Sequence, residues 1–411
     1  MLLGRFFDII NLLQGPQFES IFPKVLIFLP APDNPGGLNE ETEYKYILNE
    51  LTSRDKHCAF VMMLLKWFYL KLPAQRSEEW KNARKFVVGG SEITNIMSAR
   101  AITISAIKKK TGETRFEGHM ITRWGNLFES RVPIIINNYI KKNNPKSPGI
   151  FMIETGSIPG MRDKNSGEII QSYSPDGISL MRSSDIVFLL TTPGNMRVSS
   201  EFHSQDREII TKLRENNNSQ LVLFEIKCPY SRKITGDIYK SYIHQPNLGM
   251  CTMPFLKLYL YIEACFNINP GNINECPGVY SGFIGLKSEK LRQSVRRIVD
   301  TKEQILGFAL RALHENNAEI GYFDDYQSMV DWCKNTNYVW LQWYLETLCV
   351  VPGVANYALQ DSYYKKINAF ITEARAYENS KEFPDEISNK LEELVIENSI
   401  TGFGGDSGIP I

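Results

Sequence analysis

Paired cysteines are missing from this 411-residue chain. Its 7 cysteines stand singly, no two in C-x-x-C spacing, and no two of its 5 histidines lie within a helical turn of each other. That excludes zinc ribbons and fingers, a disulfide framework and the usual iron–sulfur spacings, and it predicts a reducing, intracellular compartment. Net charge is missing too: 46 Lys and Arg balance 46 Asp and Glu, so bulk electrostatics point to no particular partner. Long apolar runs are also absent. The longest candidate, Ala59–Leu72, is interrupted by Lys66 and Lys71 and falls short of the roughly 20 residues that span a bilayer. The opening MLLGRFFDIINLLQG carries Arg5 and Asp8 and has no small-residue cleavage site, so neither a membrane segment nor a signal peptide is expected.

What is present is the composition of a globular protein, 43% hydrophobic and 11% aromatic, enough to bury one large core. The charge is unevenly spread. Residues 81–145 carry twelve Lys or Arg against four Asp or Glu, and residues 369–411 carry three against nine, so a neutral chain can still present a basic face. Three regions emerge: an N-terminal helical region over 1–75, a core over 76–290, and a C-terminal helical region with an acidic tail over 291–411. Within the core, Gly89-Gly90 leads into a helix with Ser91 as N-cap, and a second helix is expected over about 122–142, kinked at Pro133. Short β-rich runs follow between 150 and 230: GIFMIETGSI, EIIQSYS, GISLM, DIVFLL and LVLFEIKC. The polar stretch 192–219 reads as an insertion between strands. Residues 234–266 read as helix, GVYSGFIGL as a strand, and everything from Ser288 onward as helices. Helices, a small sheet, then helices predict an α/β (α+β) fold with a central mixed sheet flanked by helices.

Two strings carry chemistry: Ser174-Pro175-Asp176-Gly177 and Phe224-Glu225-Ile226-Lys227-Cys228-Pro229. On a strand, Glu225 and Lys227 share one face and Ile226 takes the other. Burying a carboxylate beside an ammonium is costly unless something compensates it. A divalent cation shared with Asp176 would do so, and hard oxygen donors suit Mg²⁺ or Mn²⁺. Lys227 could then orient or deprotonate water, provided its proton is made labile.

These strings resemble the PD-(D/E)XK nuclease superfamily, and within it the lambda exonuclease, YqaJ and viral alkaline nuclease branch, whose cores are restriction-endonuclease-like. Further elements agree in order: Trp80-x-x-x-Arg84 followed by Ser91-Glu92, Trp124-Gly125-x-x-x-Glu129, and Tyr242-x-x-Gln245. The resemblance covers residues 80–245. It implies a Mg²⁺-dependent deoxyribonuclease, using two Mg²⁺ or Mn²⁺ ions, that digests double-stranded DNA ends from the 5′ side and leaves 3′ single-stranded tails. By the same resemblance Asp176, Glu225 and the Ile226 carbonyl hold the metal, Lys227 activates water, and Glu129 projects towards the metal site. Gln245 positions the nucleophile or phosphate, and Arg84, Ser91 and Ser174 bind the DNA 5′ phosphate. The extra acidic ligand before SPDG is assigned to Asp163 first and Glu168 second, and Arg232 and Lys233 are expected near the DNA strand end. A viral source is implied, acting in the host nucleus or at a cytoplasmic replication site, with a single-strand DNA-binding or annealing protein as partner and a homo-oligomeric ring as a further option. Two other readings keep the same residues: an endonuclease or RNase with this metal site, and a non-catalytic DNA-binding protein on a nuclease fold.

Overall fold

The computed structural model of the protein describes residues 78–98, 104–112, 120–191, 203–268, 280–288, 296–298, 302 and 318–380, apart from positions 148, 154, 217, 335 and 336. The expected N-terminal region 1–75, residues 192–202 of the expected insertion and the acidic tail beyond 380 lie outside the described residues. In chain order the elements are α1 (Glu78–Ala83), α2 (Gly90–Ser98), α3 (Ile104–Thr111), α4 (Met120–Phe128), α5 (Arg131–Asn143), β1 (Phe151–Ile153), β2 (Ile158–Pro159), β3 (Ser172–Tyr173), β4 (Gly177–Arg182), α6 (Ser183–Thr191), α7 (Ser204–Glu215), β5 (Ser219–Lys227), α8 (Gln245–Thr252), β6 (Leu258–Ile268), β7 (Ser281–Ser288), β8 (Arg296–Ile298), β9 (Ala318–Phe323), α9 (Tyr326–Trp332), β10 (Tyr338–Gly353) and α10 (Gln360–Ser380).

The main sheet runs β1-β4-β5-β6-β10-β7-β9, with β8 beside β10. Its pairs are antiparallel except β5–β6 and β8–β10. This is the mixed α+β architecture expected, with helices against both faces. Alternation along β5 decides what each face carries. Phe224 and Ile226 point into an apolar core with Trp124, Phe128 and Ile136 of α4 and α5 and Leu190 of α6. On the other face Leu223 lies against Gly249 of α8, where an added Cβ would stand 2.9 Å from it. Beyond α8, Leu248 joins Val88, Ile93, Ile107 and the apolar stripe Tyr363, Ile367, Phe370 and Ala374 of α10 in a second core.

Several expected elements differ. The single helix across 122–142 is two helices, and the break falls at Glu129-Ser130 instead of Pro133. A proline removes a hydrogen bond to the carbonyl four residues back and its ring crowds that carbonyl, here the one on Glu129, so the chain yields there while Pro133 itself sits harmlessly in the first turn of α5. DIVFLL is part of helix α6, and YLYIEACF belongs to strand β6. Part of the 192–219 insertion is the regular helix α7. The region after 288 is not all helical: β8, β9 and the 16-residue β10 enter the same sheet, so the expected boundary at 290 falls within it. No helix among the described residues is long and apolar enough to cross a membrane.

Candidate active site

The register of the sheet builds the site. β4 and β5 are antiparallel with Gly177 opposite Phe224, so Asp176, just before β4, comes level with the end of β5. Its Oδ2 accepts a hydrogen bond from the Ile226 backbone N–H at 2.6 Å. Glu225 is fully buried, and Lys227 keeps 16% of its side-chain exposure. The Lys227 ammonium donates to Glu225 and, at 3.1 Å, to the Ile226 carbonyl, and it lies 3.7 Å from Asp176 Oδ2. One cationic centre therefore touches the three oxygen donors assigned to a metal. The face of the Tyr242 ring lies 5.4 Å from it.

Burial pushes the Glu225 carboxyl up to about 7, with Lys227 pulling against that and Asp176 reinforcing it. Burial works against the charge on Lys227, but Glu225, Asp176 and Glu129 outweigh it and hold the ammonium well above its ordinary range. In this arrangement the carboxylates around Lys227 hold it in its ammonium form. The carboxylates that would hold a metal hold its proton instead.

Among the described residues no group of three or more His, Cys, Asp or Glu side chains stands ready as a metal cage. The donors nevertheless fit a hard divalent ion: two carboxylates and a carbonyl, all oxygen, already converge on one positive charge. Mg²⁺ typically takes one or two carboxylates and fills the rest of its shell with water and substrate phosphate.

Glu129 reaches the same neighbourhood from the α4–α5 break. Residues four apart share a helix face, and its carboxylate oxygen lies 3.1 Å from where a Cβ on Gly125 would stand, with the Cys228 carbonyl 3.9 Å from that point. The glycine of the W-G-x-x-x-E string thus leaves room for the glutamate. Trp124 anchors the turn, fully buried and 4.7 Å from the Phe128 ring. A cleft of about 600 Å³ opens beside Glu129, Asp176 and Ile226.

No protein-family model matches the chain. Among curated proteins it is similar to protein D345L of African swine fever virus, 25% identical over 203 residues in isolate Tick/Malawi/Lil 20-1/1983 and 24% over 203 residues in isolate Tick/South Africa/Pretoriuskop Pr4/1996. These relatives are viral proteins. Each match covers 48% of this chain and 51% of the relative, so the chain spans about half the length of the curated relatives it matches. Among solved structures it overlays on the alkaline exonuclease LHK-Exo from Laribacter hongkongensis with a TM-score of 0.33 at 14% identity, and on LHK-Exo in complex with dAMP with a TM-score of 0.34 at 13% identity. The latter overlay covers 78% of this chain and all of that one.

The remaining expected residues fall into two groups. Gln245 opens α8, buried, with its Oε1 lacking a hydrogen-bond partner and its Cγ 3.6 Å from where a Cβ on Gly90 would stand. The Arg84 guanidinium lies over Gly89, where a Cβ would meet it unless the arginine shifted, and 3.7 Å from Glu92. Ser91 is exposed in the first turn of α2 and is not its N-cap. Gly89 holds that place, because the Glu92 side chain reaches back to accept from its N–H at 2.8 Å. Ser174 directly follows Tyr173, whose ring packs on Gly90. Asp163 and Glu168 are not brought to the metal donors. They flank a turn in which Asp163 accepts from the Asn165 and Ser166 N–H groups, and both pair with Arg375 of α10.

Three features escaped sequence reasoning. The Tyr173 hydroxyl donates to the buried Glu225 carboxylate, and nothing local in SYSPDG marks that role. Glu92 also pairs with Lys110 at 2.5 Å and Lys109 at 3.3 Å, across a gap in sequence that no periodicity bridges. Arg232 is clamped by two bonds to the buried Glu263, which also accepts from Tyr261 at 2.5 Å. A lone carboxylate inside the apolar run YLYIEACF was the available signal, since such a group needs a partner.

Proposed function

We propose that this chain is a divalent-metal-dependent deoxyribonuclease that digests double-stranded DNA from 5′ ends. The observation that carries the reading is the convergence of Asp176, Glu225 and the Ile226 carbonyl on the single Lys227 ammonium. Such a set of oxygens suits Mg²⁺ or Mn²⁺, and a second ion would draw on Glu129. When bound, the metal polarises the phosphodiester and offsets the charge that develops on the attacking and leaving oxygens. Water adds to phosphorus and the bond to the 3′ oxygen breaks, releasing a 5′-mononucleotide and leaving a new 5′ phosphate on the shortened strand.

The chain's own groups divide the remaining work. Asp176 and Glu225 would hold the cations, the first oriented by a hydrogen bond from the Ile226 N–H and the second by one from the Tyr173 O–H. Lys227, once its carboxylate partners are engaged elsewhere, is the group beside the reacting phosphate able to orient water or accept its proton. The unpartnered Oε1 of Gln245 is an acceptor suited to fixing a water. Arg84 supplies a planar fork for a terminal phosphate beside the first turn of α2 and Ser91, and Ser174 completes that set. The 3′ tails would pass to a single-strand annealing protein in viral DNA recombination and genome processing.

The test is digestion of end-labelled linear duplex, with and without a 5′ phosphate, in Mg²⁺. The wild type should release mononucleotides from phosphorylated ends, and Lys227→Ala or EDTA should abolish release. Full activity in Lys227→Ala ends the catalytic assignment. Cutting of closed circular DNA that Arg84→Ala leaves unharmed turns the reading into an endonuclease. Binding of DNA without any metal-dependent cutting turns it into a non-catalytic DNA-binding protein.

A further inference from the structure

Glu129 stands where one helix stops and another starts. α4 ends at Phe128 and α5 begins at Arg131. The Glu129 N–H still donates to the Gly125 carbonyl at 2.8 Å, and the Glu129 carbonyl accepts from the Val132 N–H at 3.3 Å. The residue is thus the joint between the two helices, and the angle at the break sets where its carboxylate points. At the present angle that carboxylate is close enough to Lys227 to help hold its charge. A group that binds a cation or takes part in a reaction must be kept within about 0.5 Å of its working place, so the angle needs a brace.

Tyr322 of β9, 195 positions from Leu127 in the chain, spans that break. Its hydroxyl donates to the Leu127 carbonyl in the last turn of α4. A helix end leaves its last carbonyls without partners inside the helix, and the tyrosine satisfies one of them. The Arg131 guanidinium, on the first residue of α5, lies over the face of the same ring, 4.1 Å from its centroid. Burial, with Arg131 pulling the other way, pushes the Tyr322 hydroxyl up to about 12, so it stays a donor. One side chain therefore grips the chain on both sides of Glu129. β9 is at the far end of the sheet order, beyond β6, β10 and β7 from β5, so Tyr322 is not itself among the metal donors.

We infer that Tyr322 is the positioning residue for Glu129: by clasping Leu127 and Arg131 it fixes the α4–α5 break at the angle that brings the Glu129 carboxylate to the metal donors. The inference rests on the metal site of the reading above and deepens it. It makes the second cation depend on a residue that touches neither ion.

The experiment uses the full chain with Mn²⁺ as the probe, and free Mn²⁺ is read by electron paramagnetic resonance. Wild type, Tyr322→Phe, Glu129→Gln and the double variant are titrated, and cutting of linear duplex is measured beside them. Tyr322→Phe keeps the ring under Arg131 and removes only the bond to Leu127. It should weaken the more loosely held Mn²⁺ roughly fivefold, the order of one neutral hydrogen bond, and leave the tighter ion at Asp176 and Glu225 unchanged. In the Glu129→Gln background it should have no further effect on Mn²⁺, because residues that act as one unit do not add. Arg131→Met removes the other half of the grip with Tyr322 in place and should show the same pattern. A loss that falls equally on both ions, or that adds in full to that of Glu129→Gln, makes the tyrosine merely structural and overturns the inference. Unaltered Mn²⁺ binding in both Tyr322→Phe and Arg131→Met overturns it as well, and so does a wild type that binds no Mn²⁺. A wild type that shows the expected Mn²⁺ pattern but cuts no DNA removes the nuclease reading and leaves the positioning role standing.

Discussion

Tyr173 gives its only hydroxyl proton to a fully buried carboxylate, and its ring fills the space between two glycines, Gly90 and Gly249. Burial, with the negative charge of Glu225 added, raises the Tyr173 hydroxyl well above its ordinary value, so it remains a donor at any working pH. The bond orients Glu225 without occupying the oxygen that faces Lys227. Tyr173→Phe keeps the ring and removes only the donor. Net contributions of hydrogen bonds to charged groups are about 1.5–3 kcal/mol, and loss of a group that orients a metal ligand weakens metal binding about 10–100-fold. We therefore expect Tyr173→Phe to unfold at lower denaturant and to need that much more Mg²⁺ for half-maximal cutting. An unchanged Mg²⁺ requirement would assign Tyr173 to packing alone. At this scale the two strings SPDG and EIKCP were legible from the sequence, because strand alternation and turn chemistry are local rules. The tyrosine was not, because its partner lies 52 positions away and only the fold brings them together.

At the scale of elements, the first turn of α2 shows how a charged cluster organises a helix end. Glu92 caps Gly89, pairs with Lys110 from α3 and stands beside Arg84 and Lys109. Burial alone would raise its carboxyl, but the three cations together outweigh that and hold it at about 2. Lys110 in turn is lowered, chiefly by burial and against the pull of Glu92. Removing one partner of a buried pair strands the other, at about 3–5 kcal/mol. We expect Glu92→Gln to lose stability of that order at pH 7 and to loosen Arg84, with weaker discrimination between ends that carry and lack a 5′ phosphate. A depressed carboxyl stabilises above its unfolded value of 4.5 and ceases to do so as pH falls towards 2. The difference between wild type and Glu92→Gln should therefore shrink below pH 4.5, by roughly 1.4 kcal/mol per pH unit. Denaturation series at pH 7 and pH 3 measure it, and an equal gap at both would remove the charge from the account. Here the sequence placed the start of α2 near Ser91 but did not show how it is capped: an N-cap at Ser91 starts the helix two residues later than Gly90, where it begins, and the cap is made by Glu92 reaching back to Gly89.

Across the whole molecule, the strands hardest to foresee are those in the middle of the sheet. β6 and much of β10 are buried on both faces, so their apolar runs have no alternation to separate a strand from a buried helix. β10 lies between β6 and β7, pairing with Tyr259–Ile268 on one side and Ser281–Lys287 on the other. Trp343 from β10 meets Phe128 and Phe266, the two rings that join α4 to the sheet. Phe128 immediately precedes Glu129, so the strand supplied by the last third of the chain also steadies a candidate catalytic carboxylate. A chain ending at residue 290, where the sequence suggests a boundary, would leave β6 and β7 with no strand between them and Phe128 without its Trp343 contact. We expect that shortened chain to retain some helical signal in circular dichroism, to bind a hydrophobic dye, and to melt without a cooperative transition. A sharp thermal transition together with Mg²⁺-dependent cutting by residues 1–290 would show that the site is complete without β10, and that the strands after 290 are an addition to the core instead of its centre.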